Sequence, residues 1–132
     1  MNVGLAFARN AVRHPDEPAV FGDAPLTNRE LHERSNRIAN ALLARGLTKG
    51  DRVALFVANR REVVEVLGGI TKAGLVYVGL NFRLGPVELE QVFENAQPSL
   101  VLTDAEHVEA VAPIADAADV PVLDIDTAAW TD

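Results

Sequence analysis

The chain of 132 residues has no cysteine, which excludes disulfide bonds, thiolate metal ligands and thiol nucleophiles. It also lacks any apolar run near the roughly 20 residues that a membrane-spanning helix needs. The first residues, 1–8, have neither the basic patch nor the apolar core of a signal peptide. Together these absences predict a cytoplasmic protein with no membrane span.

Basic residues are missing from the second part of the chain. All lysine and arginine residues lie at or before Arg83, only acidic charged residues follow it, and the net charge is −7. An acidic surface repels phosphates, so nucleic acid is excluded as a partner. We expect these acids to form a solvated face, and the alternative is a surface that meets a basic partner domain.

Composition and apolar patterning predict one globular domain over residues 1–132. Hydrophobic residues make up 48% of the chain and charged residues 23%, as in ordinary folded domains. Thr27 and Glu30 form a capping box at the start of a helix that ends at Gly46. The predicted elements are a helix over 4–13, a hairpin around Gly22, the capped helix, strands over 52–57, 75–80, 100–102 and 120–123, and helices over 61–73, 86–95 and from Asp104 onward.

The predicted strands favour a parallel sheet. Residues 53–57 and 75–80 have no polar face, which is typical of strands that are buried on both sides. Alternation of strand and helix indicates repeated βα units, so the sheet is expected to be covered by helices. Pro113 is expected to kink or shorten the last helix. The predicted fold class is therefore α/β, with an N-terminal helix and a small hairpin before the parallel sheet.

Short motifs follow one another along the chain at characteristic spacings. In order they are Leu26-Thr27-x-x-Glu30-Leu31, Ser35-Asn36-Arg37-Ile38-Ala39, Gly50-Asp51-Arg52-Val53-Ala54, Lys72-Ala73-Gly74 and Asn81-x-Arg83-Leu84. They resemble the opening motifs of the adenylate-forming, AMP-binding enzymes, which include the acyl-CoA synthetases and ligases. The resemblance covers about residues 15–104. It departs from the family pattern at Asn28, where an aromatic residue is usual, and at Gly79, where proline is common.

The resemblance implies the N-terminal subdomain of the adenylate-forming fold. A complete family member, a ligase of fatty acid metabolism for example, would use ATP, Mg²⁺ and CoA to convert a carboxylic acid to acyl-CoA through an acyl-adenylate. This chain has no Ser/Thr/Gly-rich phosphate loop ending in lysine, so we expect no catalytic residue, metal ligand or cofactor of its own. It would be a catalytically inactive scaffold whose partner is the remainder of the synthetase, or another copy bound through exposed apolar surface.

Two other functions are compatible with an α/β sheet. The first is a truncated, non-enzymatic interaction or binding module with a flavodoxin-like fold, which would fold alone and expose no large apolar patch. The second is a signalling domain of the response-regulator type, which needs acidic residues at the end of the first parallel strand. Val57-Ala58-Asn59 supplies none at that point, so the second function is disfavoured.

Arg83 is the one candidate binding residue. By resemblance, the arginine of the Asn-x-Arg-Leu turn lies near the phosphates of the CoA nucleotide. A guanidinium suits that role because its planar fork donates to two phosphate oxygens and stays charged. The turn also follows the C-terminal end of a predicted parallel strand, the edge at which α/β sheets bind ligands. The structural alternative is an ion pair with a neighbouring acid such as Glu88.

The remaining polar candidates are expected to have structural roles. Lys72 falls in the last turn of a helix, where a cation meets the partial negative charge of the free carbonyls. By resemblance it is not the catalytic lysine of the family, which belongs to a C-terminal domain. His14, His32 and His107 are isolated in sequence and are expected in loops or at the surface. Gly68-Gly69 lies inside a predicted helix and indicates close packing against a neighbouring element.

Overall fold

The computed structural model describes residues 3–22, 24–127 and 130, and it has the predicted α/β architecture. Among the described residues, one compact unit comprises 3–49 and 60–74, and a second comprises 50–59 and 75 onward. The assignment of residues 1–132 to one domain stays a prediction. The elements are α1 Val3–Arg13, β1 Pro18–Val20, β2 Leu26–Thr27, α2 Asn28–Ala44, β3 Arg52–Phe56, α3 Arg61–Lys72, β4 Val76–Gly79, α4 Pro86–Ala96, β5 Leu100–Thr103, α5 Val108–Ala117 and β6 Val122–Asp124.

The first unit contains helices α1, α2 and α3 and the small hairpin. Strands β1 and β2 pair antiparallel, as predicted from the turn at Gly22. Thr27 caps α2, because its Oγ1 accepts the backbone N–H of Glu30 at 3.2 Å. Along α2, one stripe is buried at the helical spacing predicted for it: Leu31, Ser35, Ile38 and Leu42.

Two adjacent glycines allow α3 to approach its neighbours closely. A Cβ placed on Gly68 would lie 2.4 Å from Cε2 of Phe7 and 2.9 Å from Cβ of Ser35. A Cβ on Gly69 would lie 2.3 Å from Cγ2 of Ile38. Since Cβ atoms essentially never approach other atoms this closely, a side chain at either position would force its neighbours to move. The structure therefore confirms the close-packing role predicted for Gly68-Gly69.

The second unit is built on a four-stranded sheet in the order β4-β3-β5-β6. Every pairing in it is parallel, which confirms the predicted sheet. Alternate residues of β3 and β5, among them Ala54, Phe56 and Val101, belong to a core that also includes Leu89 of α4 and Val111 of α5. Strand β5 is buried along its whole length.

The predicted burial of residues 75–80 is wrong for part of the strand. Val76 is 44% exposed and Tyr77 is 37% exposed. Strand β4 stands at the end of the strand order, and in the described part of the chain its ladder partner is β3 alone. Val76 and Tyr77 are consecutive, so their side chains point to opposite faces of the strand, and at the sheet edge neither face is fully covered.

The start of the last helix differs from prediction, whereas a kink at Pro113 stays a prediction. Asp104 does not cap α5, because the helix begins at Val108 and its N-cap residue is His107. Pro113 lies inside α5, which continues past it to Ala117, so it does not end the helix. None of the helices in the described ranges has both the length and the apolar character required to cross a membrane.

Candidate functional site

The C-terminal ends of β3, β4 and β5 bring a group of polar and aromatic side chains together in the second unit. The turn after β4 carries Asn81, Phe82 and Arg83, and the residues after β5 include Asp104 and His107. This is the edge at which parallel α/β sheets bind ligands, because the chain leaves each strand there and forms loops. The predicted position of Arg83 at such an edge is what the structure shows.

The turn that presents Arg83 is held by its own asparagine. Oδ1 of Asn81 accepts the backbone N–H of Arg83 at 3.0 Å, and its carbonyl oxygen accepts the N–H of Leu84 at 3.0 Å. Such local bonds are the reason asparagine is favoured in turns. The Asn-x-Arg-Leu motif therefore encodes the turn itself, and it leaves the arginine side chain exposed.

The guanidinium of Arg83 lies over an aromatic ring and has no ion-pair partner in the described part of the chain. Its central carbon is 5.4 Å from the centre of the Phe82 ring, within the range of a cation–π contact. The expected alternative, an ion pair with Glu88, does not occur among the described residues. The arginine is thus oriented by the ring and keeps its hydrogen-bond donors available.

An aromatic cluster extends from Phe82 into the sheet. The ring of His107 meets Phe82 at a centroid distance of 5.5 Å and Phe56, at the end of β3, at 5.8 Å, both edge to face. Nδ1 of His107 lies 2.6 Å from Oδ1 of Asp104, within hydrogen-bond distance. The same Oδ1 accepts the backbone N–H of His107 at 2.9 Å.

The sequence did not group Asp104 and His107 with Arg83. His107 lies in the loop between β5 and α5, which is one of its two expected positions, but its side chain is largely buried there. The side chain of Asp104 is 3% exposed and that of His107 is 13% exposed. The sequence contained a weak signal for both, because Asp104 directly follows the buried strand β5 and His107 lies three residues further along the same loop. Applying the strand-end rule to β5 as well as to β4 would have placed them beside Phe82.

A second polar cluster lies in the first unit, where α3 meets α2. Nζ of Lys72 is 2.8 Å from Nδ1 of His32, 2.6 Å from Oγ of Ser35 and 2.9 Å from Oδ1 of Asn36. It is also 3.1 Å from the backbone oxygen of His32. The prediction placed this amine against the carbonyl ends of its own helix. Instead, its hydrogen bonds reach across to α2. His32 is correspondingly half-buried in a helix, not in a loop or at the surface.

The protonation of this second cluster is shifted by burial. Burial lowers the pKa of Lys72 to about 8. The pKa of His32 is also lowered, first by burial and then by the neighbouring charge of Lys72. No carboxylate pairs with Lys72 among the described residues. Near neutral pH, His32 is therefore uncharged, and Lys72 loses its proton more easily than an ordinary lysine.

A small cleft of about 240 Å³ adjoins this cluster. Its polar wall is formed by His32, Asn36 and Lys72, and its other wall by Gly4, Leu5 and Ala8 of α1. A larger cleft of about 550 Å³ lies in the second unit between the ends of α4 and α5, and its lining is apolar except for Glu90, Glu94 and Gln97. No group of three potential metal ligands occurs in the described ranges.

Comparison with known proteins identifies relatives of one kind, by sequence and by structure. A model of the family described as AMP-binding enzyme matches residues 7–132. The chain is 37% identical over 101 residues to a medium/long-chain-fatty-acid–CoA/3-oxocholest-4-en-26-oate–CoA ligase of Mycobacterium marinum, over 76% of this chain and 18% of that protein. It is 41% identical over 108 residues to feruloyl-CoA synthase of an Amycolatopsis species, over 81% and 22%. The N-terminal domain of FACL13 from Mycobacterium tuberculosis has a TM-score of 0.85 and 28% identity, over 99% of this chain and 36% of that one.

These matches agree with the resemblance found in the sequence motifs. The chain resembles the N-terminal part of AMP-forming acyl-CoA ligases, and it spans about a fifth of the length of the curated relatives it matches. The matches do not favour the alternative of a flavodoxin-like binding module. Fold, motif order and family match lead to one conclusion: the chain belongs to the family of AMP-binding enzymes.

Proposed function

We propose that this chain is the N-terminal part of an AMP-forming acyl-CoA synthetase. The observation that carries the proposal is the family match over residues 7–132, together with relatives that are named as CoA ligases. The whole enzyme would join a carboxylic acid to CoA at the expense of ATP, with Mg²⁺, and fatty acids are the first acids to test. A cytoplasmic location is part of the same proposal.

The proposed role of the chain within that enzyme is structural. It carries no phosphate loop of the family type, so activation of the acid would depend on other parts of the enzyme. Strand β4 presents Val76 and Tyr77 at an open sheet edge. Exposed apolar edges of this kind normally pair with or pack against another segment. The rest of the synthetase is the proposed occupant, and a second copy would occupy the edge when the rest is missing.

Arg83 is proposed to contact a phosphate of the CoA nucleotide. Three observations support this role: the side chain is exposed, it stands at the C-terminal edge of the sheet, and no carboxylate among the described residues neutralises it. The bond between Asn81 and the backbone of Arg83 fixes the turn, which limits the conformational entropy lost on binding. A guanidinium so placed donates two parallel bonds to a phosphate.

A chimera tests the proposal for the whole chain. In feruloyl-CoA synthase, the segment that matches this chain is replaced by it, and two half-reactions are measured: ATP–pyrophosphate exchange for adenylation and thioester formation for the CoA step. We expect both half-reactions in the chimera and neither in the isolated chain. Label transferred to ATP by the isolated chain would contradict the scaffold role.

The same chimera tests Arg83. We expect Arg83→Ala to weaken the apparent affinity for CoA and to spare adenylation, since a lost charge-assisted bond costs about 1.5–3 kcal/mol, or roughly tenfold to a hundredfold. Arg83→Lys should recover part of the loss, because an ammonium keeps the charge without the fork. Arg37→Ala is the matched control, since Arg37 is an exposed arginine on α2. Equal losses in both half-reactions would contradict a CoA contact.

A further inference from the structure

Lys72 differs from an ordinary surface lysine in the chemistry of its neighbours. The groups around Nζ are an imidazole nitrogen, a hydroxyl oxygen, a side-chain amide oxygen and a backbone oxygen, all of them uncharged. The Phe7 ring lies 5.9 Å away on the side of α1. Such a shell orients the amine by hydrogen bonds, but among the described residues it contains no carboxylate whose charge would offset the effect of burial on the amine.

The arrangement pairs a nucleophile with a base. Nδ1 of His32 is 2.8 Å from Nζ, which is within reach for proton transfer in the tautomer whose ring proton is on Nε2. Oγ of Ser35 donates to the backbone oxygen of His32 at 2.9 Å, so its lone pairs face Nζ and hold the amine in place. An activated nucleophile held by a neighbouring base is the common pattern of covalent chemistry on side chains.

The cleft beside the amine is small and open to solvent. At about 240 Å³ it is smaller than the pockets that hold drug-sized ligands, which start near roughly 300 Å³. Leu5 and Ala8 give it an apolar wall opposite His32 and Asn36. A short hydrocarbon group with a polar carbonyl end matches this lining, with the carbonyl towards the amine.

We propose that Lys72 is an acylation site that takes short acyl groups from thioesters. Nζ forms a bond to the carbonyl carbon, the carbon–sulfur bond breaks, and the sulfur leaves as a thiolate. Nδ1 of His32 accepts the proton that Nζ loses and returns it to the thiolate, so the products are an amide on Lys72 and a free thiol. The supply of thioesters near this chain rests on the proposed function, whereas the reactivity of Lys72 does not.

The lowered pKa supports this reactivity. At pH 7.5 about a quarter of an amine whose pKa is about 8 is uncharged, against about one in a thousand for an ordinary lysine. Acylation would remove the amine's charge and two of its hydrogens, so the modified side chain could no longer donate to Ser35, Asn36 and His32 together. The modification would therefore loosen the contact between α2 and α3 at this point.

The chain contains a matched internal control, because its two lysines are Lys72 and the exposed Lys49. The 132-residue chain is incubated with S-acetyl-N-acetylcysteamine, a thioester without a nucleotide, and acetylation of each lysine is followed by mass spectrometry. At pH 7.5 the uncharged fraction of Lys72 is roughly two hundred times that of an ordinary lysine, and this gain is partly offset because a less basic amine is a weaker nucleophile. We therefore expect Lys72 to be labelled at least about tenfold faster than Lys49. Labelling of Lys49 at an equal or greater rate would overturn the proposal. Because the probe lacks the CoA nucleotide, this result is independent of Arg83 and of the proposed function.

His32→Asn tests the proton acceptor. Asparagine offers an amide oxygen as a hydrogen-bond acceptor, but it does not take up a proton. We expect labelling of Lys72 to slow by at least about tenfold, with labelling of Lys49 unchanged. An unchanged rate at Lys72 would overturn the role of His32. A circular dichroism spectrum that matches the wild type is the check that α2 has kept its structure.

Discussion

Gly69→Ala is expected to destabilise the first unit, although the same change usually stabilises a helix. In an open helix interior, alanine is favoured over glycine by about 1 kcal/mol. At Gly69, however, the added Cβ would lie 2.3 Å from Cγ2 and 2.7 Å from Cβ of Ile38, and 3.1 Å from the backbone N of Ala39. The sign of the effect therefore depends on whether α2 and α3 meet as the structure shows.

The size of the destabilisation in Gly69→Ala depends on which of the neighbouring atoms can move. Ile38 is 2% exposed, so its side chain has no free space to rotate into, and the backbone of Ala39 moves only with the whole of α2. Overpacking of a core costs about 1–3 kcal/mol, and contact with backbone puts this site near the upper value. After subtraction of the helix-propensity gain, we expect the free energy of unfolding to fall by about 2 kcal/mol.

Urea denaturation followed by circular dichroism at 222 nm measures this change. Val64→Ala is the control on α3, because Val64 lies at the surface and its truncation should change the free energy of unfolding by no more than about 0.5 kcal/mol. Ile38→Ala combined with Gly69→Ala removes Cγ2 but keeps Cβ, so the double variant should be about 1 kcal/mol more stable than the sum of single effects predicts. A stability gain in Gly69→Ala would refute the packing of α3 against α2.

Two further predictions concern pH and association. Because burial lowers the pKa of Lys72 from 10.5 to about 8 in the folded chain, the unfolded chain binds more protons between these values, and the free energy of unfolding should rise with pH across that window. Urea titrations from pH 7.5 to 10.5 should show this rise in the wild type and less of it in Lys72→Met, and equal slopes would contradict the shifted pKa. Because Val76 and Tyr77 are exposed at the open edge of β4, the isolated chain should self-associate in sedimentation experiments and bind a hydrophobic dye. Val76→Lys should reduce both signals, since a charged residue on an edge strand opposes pairing, and a wild-type chain that stays monomeric without binding dye would refute the prediction.

Much of the fold could be predicted because its signals are local. The bond from Thr27 to the N–H of Glu30 joins residues three apart, so the sequence pattern contains both partners. Gly74 has a φ of +75°, a backbone conformation that favours glycine, and it ends α3 where predicted. The parallel strands follow from apolar runs between such turns. The motif around Arg83 was recognised for the same reason, because Asn81 and Arg83 make their turn within a few residues.

What the sequence alone determined was therefore the order and type of the elements, the family, and the turn that presents Arg83. The tertiary structure decided the surroundings of the functional side chains. The strand order places β4 at the sheet edge. It also brings the loops after β4 and β5 together, so that the rings of Phe82 and His107 are in contact. The close approach of α3 to α2 at Gly68 brings Lys72 to His32, 40 positions away in the chain. Such contacts depend on which faces of two elements meet, and apolar periodicity specifies that a face is buried without naming the residue opposite it.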